Sequence, residues 1–455
     1  MLTLKALCQQ IKHDYIGKDV AFTGAAIDTR RLLPGDLFVA CNGQHVDGHD
    51  FIANAEEKGA AALLLNHKVR SHLPQIIVNN TADALASIAK QHRDQFSIPM
   101  IAITGSCGKT STKNMIAHLL THHGPTFATP GNYNNHLGVP LSLCRLTTEH
   151  QYAVLELGTS GPGEIASLCQ LVSPTLSLIT NIRAQHLEGL GTINDVAIEK
   201  SAIFACLNQP DHLALINIDD PHILAMTKTV ACPHLSYSTK SCADIYATNI
   251  NMNAKQGLQA RLIVNGTEHN LSVPLIGQHV INNLVAAIGV CHALNIDINT
   301  LTEAYQSLSP VKGRFFPYTL KQGALIIDDT YNASAASVKS AIATLVKYPG
   351  QRIFVMSNMS ELGHEAQHYH AQMGRLIQKS HLDHVLFTGD KSLLASSLKF
   401  CQDKAKYFDS KQQLTDHLKT IITDKTMVVV KGSRTNKMEN IINALLAHDL
   451  NLSTP

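Results

Sequence analysis

Short apolar runs that end in glycine, asparagine or aspartate recur along the chain, separated by stretches of helical periodicity. Between about residues 81 and 312 they read MIAITG, YAVLELG, LSLITNI and LALINID. Runs of this kind alternating with amphipathic stretches predict a parallel sheet with crossover helices. A second series, ALIIDDT, RIFVMSN, HVLFTGD and MVVVKGS, follows from about residue 313 and predicts a smaller doubly wound domain. Residues 1 to about 80 mix short strands (GAAIDTR, DLFVAC, AALLLN) with a helical FIANAEEKGA. Between 230 and 275 the pattern alternates as strands do, which predicts a hairpin insert turning at Asn265-Gly266. The expected fold is α/β in three domains, 1–80, 81–312 and 313–455: a small mixed domain, a central P-loop parallel-sheet domain and a Rossmann-like domain.

Composition narrows the class. A chain of 455 residues suits about two to four domains, and 45% hydrophobic against 16% charged residues is ample for real cores. Lys and Arg number 37 against 35 acids, a formal +2, so charge gives no ground for a nucleic-acid partner. The 25 histidines and ten cysteines are scattered without a C-x-x-C pair, which fits reduced thiols in a cytoplasm. The N-terminal MLTLKALCQQIKHDY is amphipathic and soon polar, unlike a signal peptide. No apolar run approaches the ~18 residues of a membrane span. A soluble cytoplasmic protein is expected, as a monomer.

The stretch IPMIAITGSCGKTSTKNMIAHLL carries the clearest chemistry. A buried strand runs into Thr104-Gly105-Ser106-Cys107-Gly108-Lys109-Thr110-Ser111 and then a helix. The loop is shorter than G-x-x-x-x-G-K-[ST], since Ile103 stands where that pattern has its first glycine. Backbone N–H groups of the turn and the first helical turn would still converge on an anion. Lys109 would neutralise phosphate charge, and the Thr110 hydroxyl suits Mg²⁺. Glu156 ends the next apolar run, where a carboxylate could add a metal contact; a solvent-facing strand-end Glu is the plainer alternative. His186 falls in the loop after LSLITNI, and alone it reads as readily as a packed or surface histidine.

The order of segments adds more. TGSCGKT, GNYNNHLGVP (131–140), ELGTSGPGEI (156–165), NIRAQHLEGLG (181–191) and EKSAIF (199–204) are followed by GQHVINNLVAAIG (277–289) and GRFFP (313–317). DDTYNAS (328–334), ELGHEAQHYHAQMG (361–374) and VKGSRTNKME complete the series. From about residue 27 to 440 this resembles the Mur ligase family, which uses the short TGxxGKT loop. DDTYNAS and VKGSR are similar to the branch that joins D-alanyl-D-alanine to a UDP-MurNAc-tripeptide. The resemblance implies that the first domain holds the UDP-linked substrate, the central one ATP, and that the C-terminal domain closes over both. It implies phosphate contact by Lys109, a first Mg²⁺ at Thr110 and Glu156, and a second at His186. Lys200 aligns with a lysine that is carbamylated in some members. Asn282 or Asn283 would lie near adenine, and Arg314 and Asp329 would reach the nucleotide. Asp28, Thr29, Arg30, Asn134, Asn135, Tyr331 and Asn332 would face the substrates; Lys431, Ser433 and Arg434 are candidates for the incoming dipeptide.

The chemistry implied is carboxylate activation. ATP phosphorylates the carboxylate, the dipeptide amine attacks the acyl phosphate, and phosphate leaves. No nucleophilic side chain is needed. Rival readings are a sister ligase adding one amino acid, whose D-N-P-R motif is absent here, folylpolyglutamate synthase, and an ATPase switch protein. His364-Glu365-Ala366-Gln367-His368 matches the zinc-protease H-E-x-x-H, with both histidines on one face if helical. It overlays a segment of the ligase pattern in which His370 is the recurring histidine. NKME at 436–439 approximates a guanine-reading motif, with Glu in place of Asp. Two departures from the family are Asn358, where an acid is usual, and Thr159-Ser160-Gly161, where bulkier or amide residues are usual.

Overall fold

The apolar runs form the strands of three large sheets. The computed structural model describes residues 2–11, 13, 15–43, 46–253, 257–401 and 404–451. Residues 1, 12 and 14 of the N-terminal stretch, 44–45 of the first domain and 254–256 of the hairpin stretch lie outside these.

The central sheet has nine strands. Its parallel middle is built from Thr126–Ala128, Tyr152–Glu156, Met100–Thr104, Leu176–Ile179, Leu213–Asn217 and His234–Ser238, side by side in that order. Ile245–Asn253 continues it in parallel, and Gly257–Val264 and Thr267–Val273 extend it antiparallel. The last two strands turn at Asn265 (φ 47°) and Gly266 (φ 82°). Two consecutive positive φ values define the tight hairpin turn that Asn-Gly favours.

The loop strand Met100–Thr104 therefore lies between Tyr152–Glu156 and Leu176–Ile179. Its register sets Ile103 against Glu156 on one side and Thr104 against Ile179 on the other. All three strands are parallel, so their carboxyl ends deliver the phosphate loop, Glu156 and the Thr180–His186 segment to one edge of the sheet. An open α/β sheet binds its ligands outside such an edge.

The C-terminal sheet runs Phe316–Thr319, Leu325–Asp329, Thr426–Lys431, Gln351–Met356, His384–Phe387, Ala405–Tyr407, parallel except for its first strand. Both its faces are covered by apolar clusters. The N-terminal sheet orders Tyr15–Ile16, Gln75–Ile77, Ala62–Leu65, Leu37–Val39, Ala25–Ala26.

The first two sheets share one core. Leu7, Leu37, Leu64 and Ile76 pack in the same cluster as Met100, Leu155, Ile165 and Ile179. A half-buried ion pair crosses the same boundary: Arg145 grips the buried Asp36 in bidentate fashion at 2.7 and 2.5 Å. Gly24 makes room for it, since a Cβ there would come within 2.4 Å of the guanidinium. The C-terminal sheet instead keeps separate clusters, with Tyr369 and Ile276 among the side chains that pack across to the centre.

Candidate active site

The phosphate loop is shaped by its neighbour strand. Thr180 Oγ1 and Asn181 Nδ2 both donate to the Cys107 carbonyl, at 2.6 and 2.9 Å, and Asn181 Oδ1 accepts from the Cys107 N–H. Gly105 (φ 145°) lies so close to this clamp that a Cβ would stand 1.9 Å from Thr180 Oγ1. Gly108, in the left-handed conformation, caps helix Lys109–Thr121. Lys109 Nζ donates to the Gly105 carbonyl at 2.8 Å, folded back over the loop. Burial holds this amine below the ordinary lysine range, with Glu156 opposing the shift.

Beside the loop, Thr110 Oγ1 donates to Glu156 Oε2 at 2.7 Å. The other carboxylate oxygen accepts from Asn134 Nδ2 at 2.7 Å. Arg314, from the chain entering the C-terminal domain, donates to Thr110 Oγ1 at 2.9 Å. Lys113, one helical turn beyond Lys109, is buried and donates to the carbonyls of Thr129 (2.6 Å) and Gly131 (3.2 Å). It thereby fixes the segment that carries Asn134. A carboxylate and a hydroxyl, both hard oxygen donors at the base of a phosphate loop, fit Mg²⁺.

His186 and Lys200 sit on the other side. His186 caps helix Leu187–Leu190, and its Nδ1 lies 2.7 Å from Glu361 Oε2 of the C-terminal domain. Lys200 is almost wholly buried on helix Ile193–Ala205. Burial first, and then the nearby Lys109, pull its pKa down to about 7. Its neighbour Glu199 accepts from the N–H groups of Gly163 and Ile165 at 2.6 and 2.7 Å, which anchors the start of the next helix over.

A cavity of about 490 Å³ joins the loop, Glu156 and His186, whereas Lys200 is buried behind it and is not among its walls. Its walls include Ser106 to Ser111, Asn134, Glu156, His186, Asn282, Asn283, Arg314, Asp329, Tyr331, Asn332 and Glu361. A second cavity of about 370 Å³ adjoins it at Ser111, His279, Asn283 and Phe315. Asn283 lies over Gly108, and its Nδ2 is buried without a partner among the described residues. An orphaned amide at a cavity wall is a donor kept for a ligand. Asn282 Oδ1 accepts from Thr239 at 2.5 Å. From the closing side, buried Lys431 donates to Asp329 Oδ2 at 2.6 Å and to the Asn332 carbonyl at 3.0 Å. The Arg314 guanidinium stacks 4.0 Å over the Tyr331 ring.

Other expected residues lie elsewhere. Thr104 is the buried last residue of its strand, behind the loop. Asp28 and Arg30 pair with each other at 2.8 Å, and Thr29 between them is buried; none of the three lines the large cavity. Arg31 reaches further, donating to the Tyr133 hydroxyl at 2.7 Å. Asn135 spends its side-chain oxygen on the N–H groups of Leu137 and Gly138, starting helix Gly138–Leu143. Ser433 is buried, whereas Arg434 lines the cavity and pairs with Glu439 at 3.0 Å.

The H-E-x-x-H stretch is not one α-helix: Gly363–Glu365 is a 3₁₀ turn and the helix begins at Ala366. Asn358, the departure from the usual acid, accepts through Oδ1 from the Asp390 N–H and Asn436 Nδ2, bonds that a carboxylate oxygen would accept as well.

Sequence comparison covers nearly the whole chain. The chain matches the Mur ligase family, catalytic domain over residues 21–93, the Mur ligase middle domain over 103–291, and the Mur ligase, glutamate ligase domain over 313–434. The chain belongs to the Mur ligase family. It is 35% identical over 448 residues to the UDP-N-acetylmuramoyl-tripeptide–D-alanyl-D-alanine ligase of Escherichia coli (strain K12), with 98% of each chain covered. It superposes on MurF from Acinetobacter baumannii with a TM-score of 0.89 at 28% identity, again over 98% of each chain. MurF ligase from Thermotoga maritima, solved in complex with ADP, matches with a TM-score of 0.85 at 27% identity, over 94% of this chain and 98% of that one.

Proposed function

We propose that the chain is an ATP-dependent ligase that joins D-alanyl-D-alanine to the free carboxylate of a UDP-N-acetylmuramoyl-tripeptide, within peptidoglycan precursor synthesis. The observation that carries this reading is the single cavity in which a phosphate loop, the Thr110–Glu156 pair and the Arg314–Tyr331 and Asp329–Lys431 pairs of the third domain meet. That construction serves a reaction whose two anionic reactants, a triphosphate and a carboxylate, must be forced together.

In this reading the loop N–H groups and Lys109 bind the phosphates, Lys109 moving from the Gly105 carbonyl to the γ-phosphate. Arg314 adds a second cation from the closing domain. Thr110 and Glu156 would hold one Mg²⁺ and His186 a second. Bound there, the ions would offset charge on the transferring phosphoryl group and its acceptor. Asn134 and Lys113 keep the Glu156 carboxylate turned toward Thr110. Asn282 and Asn283 form the base end of the nucleotide site, and Asn283 would give its unpaired amide hydrogen to the ligand.

The phosphorylated carboxylate is then attacked by the dipeptide amine, which loses a proton as the amide forms and phosphate departs. Contact between the third domain and the loop excludes water that would hydrolyse the acyl phosphate. Lys200, whose pKa burial and the nearby Lys109 pull down to about 7, would add CO₂ with release of one proton, leaving a carbamate anion that offsets the charge of Lys109. The substrate roles of Asp28, Thr29 and Arg30 belong to the UDP end, away from the phosphate cavity. Ten free cysteines, and no helix among the described residues long and apolar enough to cross a membrane, accord with reaction in the cytoplasm.

The test is phosphate release by the purified protein from ATP and UDP-MurNAc-tripeptide, with and without D-Ala-D-Ala. Release that needs both acceptors, with a pentapeptide product by mass, is expected. Release indifferent to the dipeptide, or appearing only with a single amino acid and a dipeptide precursor, would overturn the assignment.

A further inference from the structure

Two bulky residues hold backbone conformations that L-residues avoid, and they face each other across the domain boundary. His186 has φ 55° and Glu361 has φ 63°. Such conformations persist only where surrounding structure imposes them, and they cluster at functional sites. Glu361 belongs to the loop between strand Gln351–Met356 and the turn Gly363–Glu365.

Packing holds that loop in place. His370 is wholly buried; its Nδ1 meets the Ala366 carbonyl at 2.7 Å, and its Nε2 accepts the Met359 N–H at 3.1 Å. This is the task of the histidine that recurs in the ligase pattern: it braces the loop that presents Glu361. On the far side Gly363 lies against Glu188, with a Cβ position 3.4 Å from the Glu188 Cα. The carboxylate thus arrives at His186 on a fixed support.

Nδ1 of His186 lies 2.7 Å from Glu361 Oε2. An imidazole facing a carboxylate through Nδ1 keeps its proton there and leaves Nε2 as the lone-pair nitrogen. A ligating histidine needs that arrangement, and carboxylates that orient such histidines set metal affinity. Here the carboxylate comes from a different domain than the histidine.

We propose that Glu361 is a positioning residue for the cation site at His186, and that it makes cation binding there conditional on closure of the C-terminal domain. The inference rests on the ligase reading above, in which His186 serves a second ion. Linkage makes the effect reciprocal: if closure tightens the ion, the ion tightens closure by the same factor.

Mn²⁺ binding by the full-length protein, saturated with a non-hydrolysable ATP analogue and followed by electron paramagnetic resonance, tests this. Wild type should hold two ions, and Glu361→Gln should weaken the weaker one by about 10–100-fold. Glu365→Gln, on the same loop but directed at His364, should bind as wild type does. In a His186→Ala background Glu361→Gln should add nothing, since its effect passes through that ring. X-ray scattering should show Mn²⁺ compacting the wild type more than Glu361→Gln. Unchanged Mn²⁺ affinity in Glu361→Gln overturns the proposal, as does an equal loss in the His186→Ala background. A wild type that holds only one ion with nucleotide takes down the two-ion reading and the proposal together.

Discussion

At the scale of single residues, Lys200 makes the sharpest prediction. Its native pKa of about 7 lies below the ordinary lysine value, so between the two the unfolded chain binds more protons than the folded one. Stability supplied at this position therefore rises with pH across that window. Without CO₂, Lys200→Met should be more stable than wild type near pH 6 in urea unfolding, with the advantage shrinking as pH climbs past 7. The same variant should lose nearly all ligase activity. Wild type supplied with ¹³C-labelled bicarbonate should show a carbamate carbon signal that fades as pH falls through about 7. Equal stability differences at all pH values would mean that the amine is not desolvated.

At the scale of elements, the loop depends on the strand beside it as much as on its own residues. Gly105→Ala would force a methyl group into the Thr180 hydroxyl, breaking the clamp on the Cys107 carbonyl. Nucleotide affinity by titration calorimetry should fall at least about tenfold, or roughly 1.4 kcal/mol, with the fold retained by circular dichroism. Legibility in the sequence follows the same division. The strands, the loop and the Asn265-Gly266 turn are written in local patterns a few residues long, and such patterns survive without knowledge of neighbours. Lys109, Thr110 and Glu156 were readable because strand ends in parallel sheets have a predictable fate. Thr180, Asn181, Lys113 and Glu361 were not, because each acts through a partner 16 to 175 positions away. Asn135 carried the expected composition but spends its oxygen on a helix start. His364 and His368 matched a spacing whose meaning required an α-helix that begins two residues too late.

At the scale of the molecule, the three domains divide unequally into two bodies. The first and second share an apolar core and the Asp36–Arg145 pair, while the third keeps its own clusters and meets the centre through cavity groups and a few apolar side chains such as Tyr369 and Ile276. Calorimetry should accordingly resolve two unfolding units, one for the joined first and second domains and one for the third. Asp36→Asn leaves the partly exposed Arg145 guanidinium facing an uncharged partner, and should cost the first unit about 1–3 kcal/mol while leaving the other transition where it was. A single transition lowered as a whole would show that the third domain is cooperatively bound even without ligand.

Cys107 gives this division a practical reading. Its sulfur lies 3.3 Å from the Ser334 hydroxyl, so the third domain stands directly over a half-exposed thiol in the phosphate loop. A thiol-specific reagent reaches this sulfur through the cavity, and more readily when the third domain stands further off. The alkylation rate of Cys107, read by peptide mass against exposed Cys242 as internal clock, should then fall as bound substrates fill the cavity and hold the third domain over the loop. The native sequence carries its own shutter timer, and each substrate can be ranked by how far it slows the exposure.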